Sequence, residues 1–319
     1  MEKHFPGFYL AQQGLSSLLD NSTIIFESEL LLALFRMREA EASCFLKILE
    51  SPEIIEKLWL PYDAAWRYHI QVNGVIMKEI ERINSTLKHL TTCIENIEAI
   101  QRFPYLEVDM IERFKSTTNG IYQVCKEEID MLSGNIKGCS IKDRIKSLFN
   151  DKIGNEYSEA ELENIYHEAE KRYKESIPPS GDIEYTSDQR LHHHNLIVWK
   201  QILSHAKNRM EDGISNNFIY VTWKFSQDWY YIVGDQKIST SHSLQDEFQK
   251  QVVGDRFPRP IFFCCSALSF VTEVCGKYSI VHPNLSMLKS QLREEFKRFS
   301  TPNSGLKNSH TPDNGTLMR

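Results

Sequence analysis

Charged and aromatic side chains follow the short β-rich runs of this chain, at positions where they could bind a ligand. Glu27 comes directly after residues 23–26, and Trp223 and Lys224 come directly after residues 218–222. Ligands of parallel α/β sheets bind beyond the carboxyl ends of the strands. A carboxylate at such a position could hold a hard divalent cation, whereas basic and Trp side chains could bind a phosphate or stack on a base.

Arg67 lies in a segment that could take part in the second kind of site. Trp66, Tyr68 and His69 surround it in sequence, so a charged donor and stacking faces occur together. These residues could form a pocket for a phosphate or a base. The alternative is that the aromatic side chains beside the strands belong to the core, which is their commoner place.

Glu27 has two alternative roles. It could be part of a metal site, although a glutamate is one methylene longer than the aspartate that an octahedral Mg²⁺ site more easily fits. It could instead pair with Arg67 or Lys224, which would prevent metal capture. We expect the charge pair. A metal site could draw on further carboxylates elsewhere in the chain, namely Glu29, Asp182 and Asp228.

Four β-rich runs, separated by helical stretches, predict the elements that position these side chains. They are residues 23–26, 57–60, 218–222 and 260–264, with 230–233 as an additional edge strand. Strands that alternate with helices of this length indicate crossover connections and therefore a parallel sheet. The fold class that we predict is α/β, with helices flanking the sheet.

A long helical hairpin is predicted between residues 64 and 135. Its first helix carries apolar residues at spacings of three and four, which form the seam of a coiled coil: Ile80, Ile83, Leu87, Leu90, Ile94 and Ile97. The Phe103-Pro104 step ends that helix. The returning face is predicted to contain Leu106, Met110, Phe114, Ile121, Val124 and Leu132. This second helix or a partner chain could close the seam, and we expect the second helix to do so.

The predicted organisation has four parts. Residues 1–63 begin the sheet domain, 64–135 form the helical arm, and 136–299 complete the domain. Residues 176–190 lack apolar periodicity and are expected to form an exposed loop that leads to a helix at His194. Residues 300–319 contain almost no large apolar side chains, so we expect a disordered tail.

Composition narrows the class of protein. Of the 319 residues, 41% are hydrophobic, which is enough for a core, and the formal charge of −6 means that nucleic-acid binding would need a local basic patch. The first residues do not resemble a signal peptide, and no apolar run approaches the length of a membrane span. We therefore expect a cytoplasmic protein without a membrane partner.

Cysteine and histidine groups raise the question of zinc. The seven scattered cysteines favour reduced thiols over a disulfide framework. Neither Cys264-Cys265 with Cys275 nor the run from His192 to His194 has the spacing of a zinc site. We predict buried thiols and a solvated loop, respectively, and no metal.

Four segments of the chain resemble the PIN-like domains of bacterial proteins, which are relatives of Mg²⁺-dependent PIN nucleases. The segments are IIFESELL (24–31), WLPYDAAWRYH (59–69), HNLIVWK (194–200) and IYVTWK (219–224), the last running into DWY (228–230). Weaker similarities extend the resemblance from about residue 15 to residue 277. It implies a PIN-like parallel sheet flanked by helices, and it implies that Trp229 packs in the core.

The resemblance also implies that the acidic centre of the family is degenerate here. The family has Asp at the position of Glu27, Glu at Arg67, Gly-Asp at His194-Asn195, and Thr-Asp-Asp where this chain reads Thr222-Trp223-Lys224. One acidic and two basic side chains remain, so the centre would repel a dication and attract an anion.

Two functions remain open on this basis. The first is an inactive pseudonuclease that acts as a binding or regulatory subunit with a protein partner, in a bacterial defence, toxin or mobile-element setting, with nucleic acid as a further candidate ligand. The second is an active Mg²⁺-dependent ribonuclease or deoxyribonuclease with a displaced acidic set. We expect the first, with no catalytic residue assigned except Glu27 as a remnant.

Overall fold

The centre of the fold is a four-stranded parallel sheet. The computed structural model describes residues 1, 4–9, 14–98, 106–138, 140–180, 188–214, 216–223, 226–233, 236–254 and 259–300. The described residues contain six strands, four of which form this sheet: β1 (Ser22–Phe26), β2 (Leu58–Trp59), β3 (Asn217–Thr222), β4 (Tyr230–Val233), β5 (Gln236–Thr240) and β6 (Phe262–Ser266). The sheet has the order β2-β1-β3-β6, and each neighbouring pair is parallel. The predicted parallel α/β fold is confirmed.

One predicted strand pairs differently from our expectation. Residues 230–233 form β4 but do not extend the parallel sheet; β4 pairs antiparallel with β5 in a separate two-stranded sheet. Only two residues separate the two strands in sequence, which allows a hairpin but not the long crossover that a parallel partner requires. The hairpin is attached to β6, because the Cys264 backbone N–H donates a hydrogen bond to Thr240 Oγ1 at 2.9 Å.

Helices surround the sheet on both faces. In chain order they are α1 (Leu15–Leu18), α2 (Ser28–Ala33), α3 (Glu39–Leu49), α4 (Pro52–Ile55), α5 (Tyr62–Glu98), α6 (Val108–Lys137), α7 (Ser140–Phe149), α8 (Glu159–Glu175), α9 (Gln189–His192), α10 (His194–Glu211), α11 (His242–Phe248), α12 (Ala267–Lys277) and α13 (Leu285–Ser300). Two short 3-10 helices (Pro6–Phe8 and Leu19–Asn21) and a π-helix (Gln249–Val253) complete the set. None of these helices is both long and apolar enough to cross a membrane.

Aromatic clusters fix these helices against the sheet. On one face, the ring of Phe26 in β1 contacts a Phe from each of α3, α7 and α12, with centroid distances of 5.5–6.4 Å. On the other face, Trp199 of α10 packs on Phe262 of β6 at 4.8 Å. Trp229 packs 4.4 Å from Tyr220 of β3 and is almost fully buried, as predicted. Burial of aromatic side chains on both faces explains why all residues of β1 are buried.

The helical arm consists of α5 and α6, which pack along most of their length. Ile80 and Leu87 are buried in the seam, and the other predicted α5 seam residues are half-buried at the same spacing. The second helix of the same chain therefore closes the seam, as expected. At the root of the arm, Lys142 of α7 joins both helices, because its Nζ donates to Asn73 Oδ1 at 2.9 Å and to the Ile136 carbonyl oxygen at 3.1 Å.

The predicted returning face of α6 is mostly wrong. Leu132 is buried, but Met110, Phe114, Ile121 and Val124 are between 36% and 66% exposed. The face that meets α5 instead contains Ile111, Lys115, Thr118, Cys125, Ile129, Leu132 and Ile136, at heptad spacing. The prediction relied on the largest apolar side chains, so it missed this face, where Lys115 and Thr118 are polar.

Two predicted segments fall largely outside the described residues. Only the two ends of the loop at 176–190 are described, and α9 already begins at Gln189. The tail from residue 300 is described only at Ser300, where α13 ends. The boundaries that we drew between the sheet domain and the arm remain predictions, although α5 and α6 together span nearly the predicted arm.

Candidate functional site

The carboxyl ends of β1 and β3 meet the first turns of three helices at one edge of the sheet. Glu27 follows β1 and occupies the N-cap position of α2, and Trp223 follows β3. The first turns of α5 and α10 bring Asp63 and His194 to the same edge, as the contacts below show. Adjacent parallel strands share this edge, so residues that are far apart in sequence come together here. We call this region the strand-end edge.

Glu27 bridges the two central strands. Its Oε2 accepts a hydrogen bond from the Trp223 backbone N–H at 2.7 Å, and its own backbone N–H donates to the Val221 carbonyl oxygen at 3.0 Å. The carboxylate thus continues the β1–β3 pairing past the end of the strands. Trp223 is itself buried, with 6% of its surface exposed, so it is a core residue and offers no open stacking face.

Asp63, His194 and Ser28 form a buried chain of hydrogen bonds. Asp63 Oδ2 lies 2.5 Å from His194 Nδ1, and His194 Nε2 lies 3.2 Å from Ser28 Oγ. Burial lowers the pKa of His194, and the neighbouring Asp63 carboxylate opposes this effect. A neutral imidazole fits both contacts, since Nδ1–H can donate to Asp63 while Nε2 accepts the Ser28 hydroxyl proton.

These three hydrogen-bonded residues have the types and sequence order of a serine-hydrolase triad, but they cannot act as a catalytic triad in this arrangement. Neither Ser28 nor Asp63 has any exposed surface, and His194 is 2% exposed. A substrate carbonyl therefore cannot reach the Ser28 hydroxyl. The hydrogen bonds connect α2, α5 and α10, and we assign these three residues a structural role.

Arg190 neutralises the second oxygen of Asp63. Its Nε donates to Asp63 Oδ1 at 2.6 Å, while the guanidinium lies 4.3 Å from the centre of the Trp66 ring and 3.6 Å from Glu156. Burial acts to lower the pKa of Arg190, but the hydrogen bond and charge of Asp63 raise it. Both oxygens of Asp63 are thus engaged by positively polarised donors from α9 and α10.

Asp228 is engaged in the same way. Its Oδ1 accepts from the Ser180 backbone N–H at 2.8 Å, and its Oδ2 accepts from Asn195 Nδ2 at 2.8 Å. The carboxyl group is buried. Asn195 thereby contacts one of the predicted alternative acids. A second one, Glu29, pairs with Arg36 at 2.8 Å.

Of the two partners predicted for Glu27, Arg67 does not form an ion pair with it among the described residues. Among the described residues, no ion pair of 4.0 Å or less joins them, and Arg67 Nε donates to Gln71 Oε1 at 3.3 Å. Burial raises the pKa of the Tyr220 hydroxyl, the Glu27 charge adds to this rise, and the Arg67 charge opposes it. Both charges therefore act on one buried hydroxyl. Glu27 Oε2 accepts the Trp223 backbone N–H instead, and the alternative partner, Lys224, lies outside the described residues, so its pairing with Glu27 stays a prediction.

Two of the predicted site residues, Lys224 and Asp182, lie outside the described residues. The remaining six are described and take the places given above, namely Glu27, Glu29, Arg67, Asn195, Trp223 and Asp228. The solvated loop predicted for the His192 to His194 run is therefore wrong at His194, which enters α10 as a hydrogen-bonded core residue. Burial of Cys264, Cys265 and Cys275 agrees with the prediction of buried thiols.

Three residues of the edge were not predicted as site residues, namely Ser28, Asp63 and Arg190. Ser28 and Asp63 stand inside the nuclease-like segments, so their position was a usable signal. Arg190 stands in a stretch without periodicity, and its partner is 127 residues away, so no local pattern indicated it.

The described carboxylates of the strand-end edge are held by protein donors. Mg²⁺ requires near-octahedral oxygen coordination, usually with one or two carboxylates that can turn toward the ion. Glu27, Asp63 and Asp228 already accept hydrogen bonds from protein donors. Within the part of the chain that the structure describes, no group of three or more His, Cys, Asp or Glu side chains could hold a metal.

Comparison with known proteins identifies a family. A family model described as a PIN-like domain matches residues 23–244, which is more than half of the chain. The match includes the strand-end edge and the helical arm, and it ends before β6. Neither the curated proteins nor the solved structures gave a significant match.

Proposed function

Because the chain belongs to the PIN-like domain family, we propose that it is a catalytically inactive member that works as a binding or regulatory subunit. The observation that carries this proposal is the engagement of the carboxylates at the strand-end edge. Glu27 is held by a backbone amide, Asp63 by Arg190 and His194, and Asp228 by Asn195.

The contacts of Asp63 make metal capture unfavourable. A metal that withdrew Asp63 from Arg190 would leave a largely buried guanidinium without its closest counter-charge. Breaking a buried ion pair in this way costs about 3–5 kcal/mol. Arg67 adds a further positive charge whose field reaches His194 and Tyr220. A dication would therefore have to offset both a broken pair and a repulsive field.

The partner that we propose is a protein, and the setting is a bacterial defence or toxin system. The helical arm supports this, because α5 and α6 extend a two-helix structure away from the sheet and expose apolar side chains on α6. Nucleic acid is a further candidate ligand of the strand-end edge, since α5 carries a half-buried indole, Trp66, next in sequence to the half-buried cation Arg67.

Cleavage assays with matched variants test the proposal. We expect no cutting of single-stranded RNA or DNA with Mg²⁺ or Mn²⁺, and no change in Glu27→Ala or Asp228→Ala. Titration calorimetry with Mn²⁺ provides a second measurement, in which wild type and Glu27→Ala should give the same baseline heat. Metal-dependent cutting that is lost in either variant would instead establish the nuclease with a displaced acidic set.

A further inference from the structure

An apolar stripe runs along α6 beside the face that packs on α5. We define the α6 stripe as Met110, Phe114, Thr117, Ile121 and Val124, which follow one another at spacings of 4, 3, 4 and 3 residues. This is the spacing of a coiled-coil seam. The four apolar members are 53%, 36%, 42% and 66% exposed, in contrast to 5% for both Thr118 and Leu132 on the α5-facing side. The described chain therefore covers one heptad seam of α6 and leaves a second one open.

Gly120 lies on the flank of the α6 stripe, where no contact among the described residues requires a glycine. It stands in the interior of a 30-residue helix, where glycine lowers helix stability relative to alanine. A Cβ added at Gly120 would meet no other atom of the described residues within 4 Å. The missing side chain thus relieves no crowding in that part of the molecule. A glycine at a helix surface does, however, allow the backbone of a second helix to approach closely.

Arg113 and Glu127 flank the α6 stripe at equal distances from Gly120. Each is seven residues away from it, so the three residues lie on one side of the stripe. Arg113 is 82% exposed, and its contact with Asp109 at 3.3 Å is an exposed pair within one helix, which contributes little. Two α6 helices that cross antiparallel at Gly120 would bring Arg113 of each copy to Glu127 of the other. A parallel arrangement would not pair these opposite charges.

We propose that the α6 stripe is the contact surface for a second copy of this chain, with the two α6 helices antiparallel. In that register Phe114 packs against Val124 of the other copy, and Ile121 packs against Thr117. The stripe from Met110 to Val124 is about 21 Å long at 1.5 Å per residue. An interface of one helix pair lies near the lower limit for stable complexes, about 1,200 Å². The dimer should therefore depend on concentration.

Charge reversal tests the register. Sedimentation of the full chain over a range of concentrations should show a dimer for the wild type. Arg113→Glu and Glu127→Arg should each weaken association by roughly tenfold or more, because like charges then face each other. Mixing these two variants should restore association as a heterodimer, and the double variant should restore it as a homodimer. Failure of both restorations would overturn the proposed register.

Matched pairs of variants test the surface itself. Ile121→Asp should abolish the dimer, whereas Gln123→Asp, at an exposed position that belongs neither to the stripe nor to the α5-facing side, should leave it intact. Gly120→Ala should weaken the dimer but raise the thermal stability of the dilute protein, and Gly134→Ala, where an added Cβ also meets nothing, should leave the dimer unchanged. Circular dichroism of each variant should match that of the wild type, which checks that the variant is folded. A wild type that is monomeric at every concentration, or a dimer indifferent to Ile121→Asp, would sink the proposal.

Discussion

Asp63 Oδ2 and His194 Nδ1 lie 2.5 Å apart, although 131 residues separate them in sequence. The contact joins the first turn of α5 to the first turn of α10, and Ser28 extends it to α2. In this PIN-like domain a buried carboxylate at the strand-end edge therefore organises the protein. Metal-dependent cleavage at this edge would need carboxylates that are available to a metal ion.

Removing the charge of Asp63 should destabilise the fold. Asp63→Asn keeps the shape of the side chain but leaves Arg190, whose side chain is only 16% exposed, without its closest counter-charge. We expect a loss of about 3 kcal/mol in the free energy of unfolding, measured with urea. Asp109→Asn is the matched control, because its pair with Arg113 is exposed and contributes at most about 1 kcal/mol. Equal stability of the two variants would contradict a structural role for Asp63.

Acid should destabilise the protein through the buried His194 and the half-buried His205. Burial lowers the pKa of His205 from 6.5 to about 4, and burial also lowers the pKa of His194. The unfolded chain therefore binds more protons than the folded chain in the interval below pH 6.5. Because stability rises with pH wherever the unfolded state holds more protons, this contribution is complete above pH 6.5 and is lost as the pH falls toward 4.

The His205 contribution can be isolated by mutation. His205→Gln should flatten the dependence of unfolding free energy on pH between 6.5 and 4, since a group that titrates differently in the two states is gone. The ring of His205 stacks on Trp59 at 4.0 Å, so the variant will also lose some stability at pH 7. His69→Gln, at an exposed position, is the control. An unchanged slope in His205→Gln would show that other groups dominate.

The sequence predicted the elements of the fold better than their contacts. Hydrophobic runs such as residues 23–26 and the seam with Ile80 and Leu87 contain their own periodicity, so strands and arm could be read locally. The pairing of β4 depended on a partner run, β5, that the pattern did not reveal. The α5-facing side of α6 was misread because Thr118 and Lys115 take part in it.

The candidate site shows the same limit. Glu27, Arg67 and Trp223 were found because they end strands or stand in nuclease-like segments. The hydrogen-bond partners of the carboxylates could not be predicted. A backbone N–H, such as the one that binds Glu27, is not distinguished by any residue type, and Arg190 is 127 residues away from Asp63 in sequence. The hydrogen-bond partners of a carboxylate are a property of the assembled edge.

Charges placed in the α5–α6 seam should unfold the arm without unfolding the sheet. Leu87 is 8% exposed and Ile94 is half-buried, so Leu87→Asp with Ile94→Asp puts two carboxylates between packed helices. Unpaired buried charges cost several kcal/mol each. We expect lower helicity in far-UV circular dichroism, with unchanged fluorescence from the core residues Trp199 and Trp229. Lys88→Asp with Glu95→Lys, at exposed positions of α5, should retain the helicity of the wild type.

An anion should bind weakly at the strand-end edge, where Arg67 and Glu27 act on the same buried Tyr220 hydroxyl. The Glu27 carboxylate partly neutralises the site, so affinity for a nucleotide or short oligonucleotide should be low and should fall as salt is raised. Fluorescence of Trp66, which neighbours Arg67 on α5, can report binding. Arg67→Glu with Lys224→Glu should abolish it, whereas Arg82→Glu, on the arm and 72% exposed, should not. Equal binding by all three proteins would leave the edge as a structural relic of a nuclease centre.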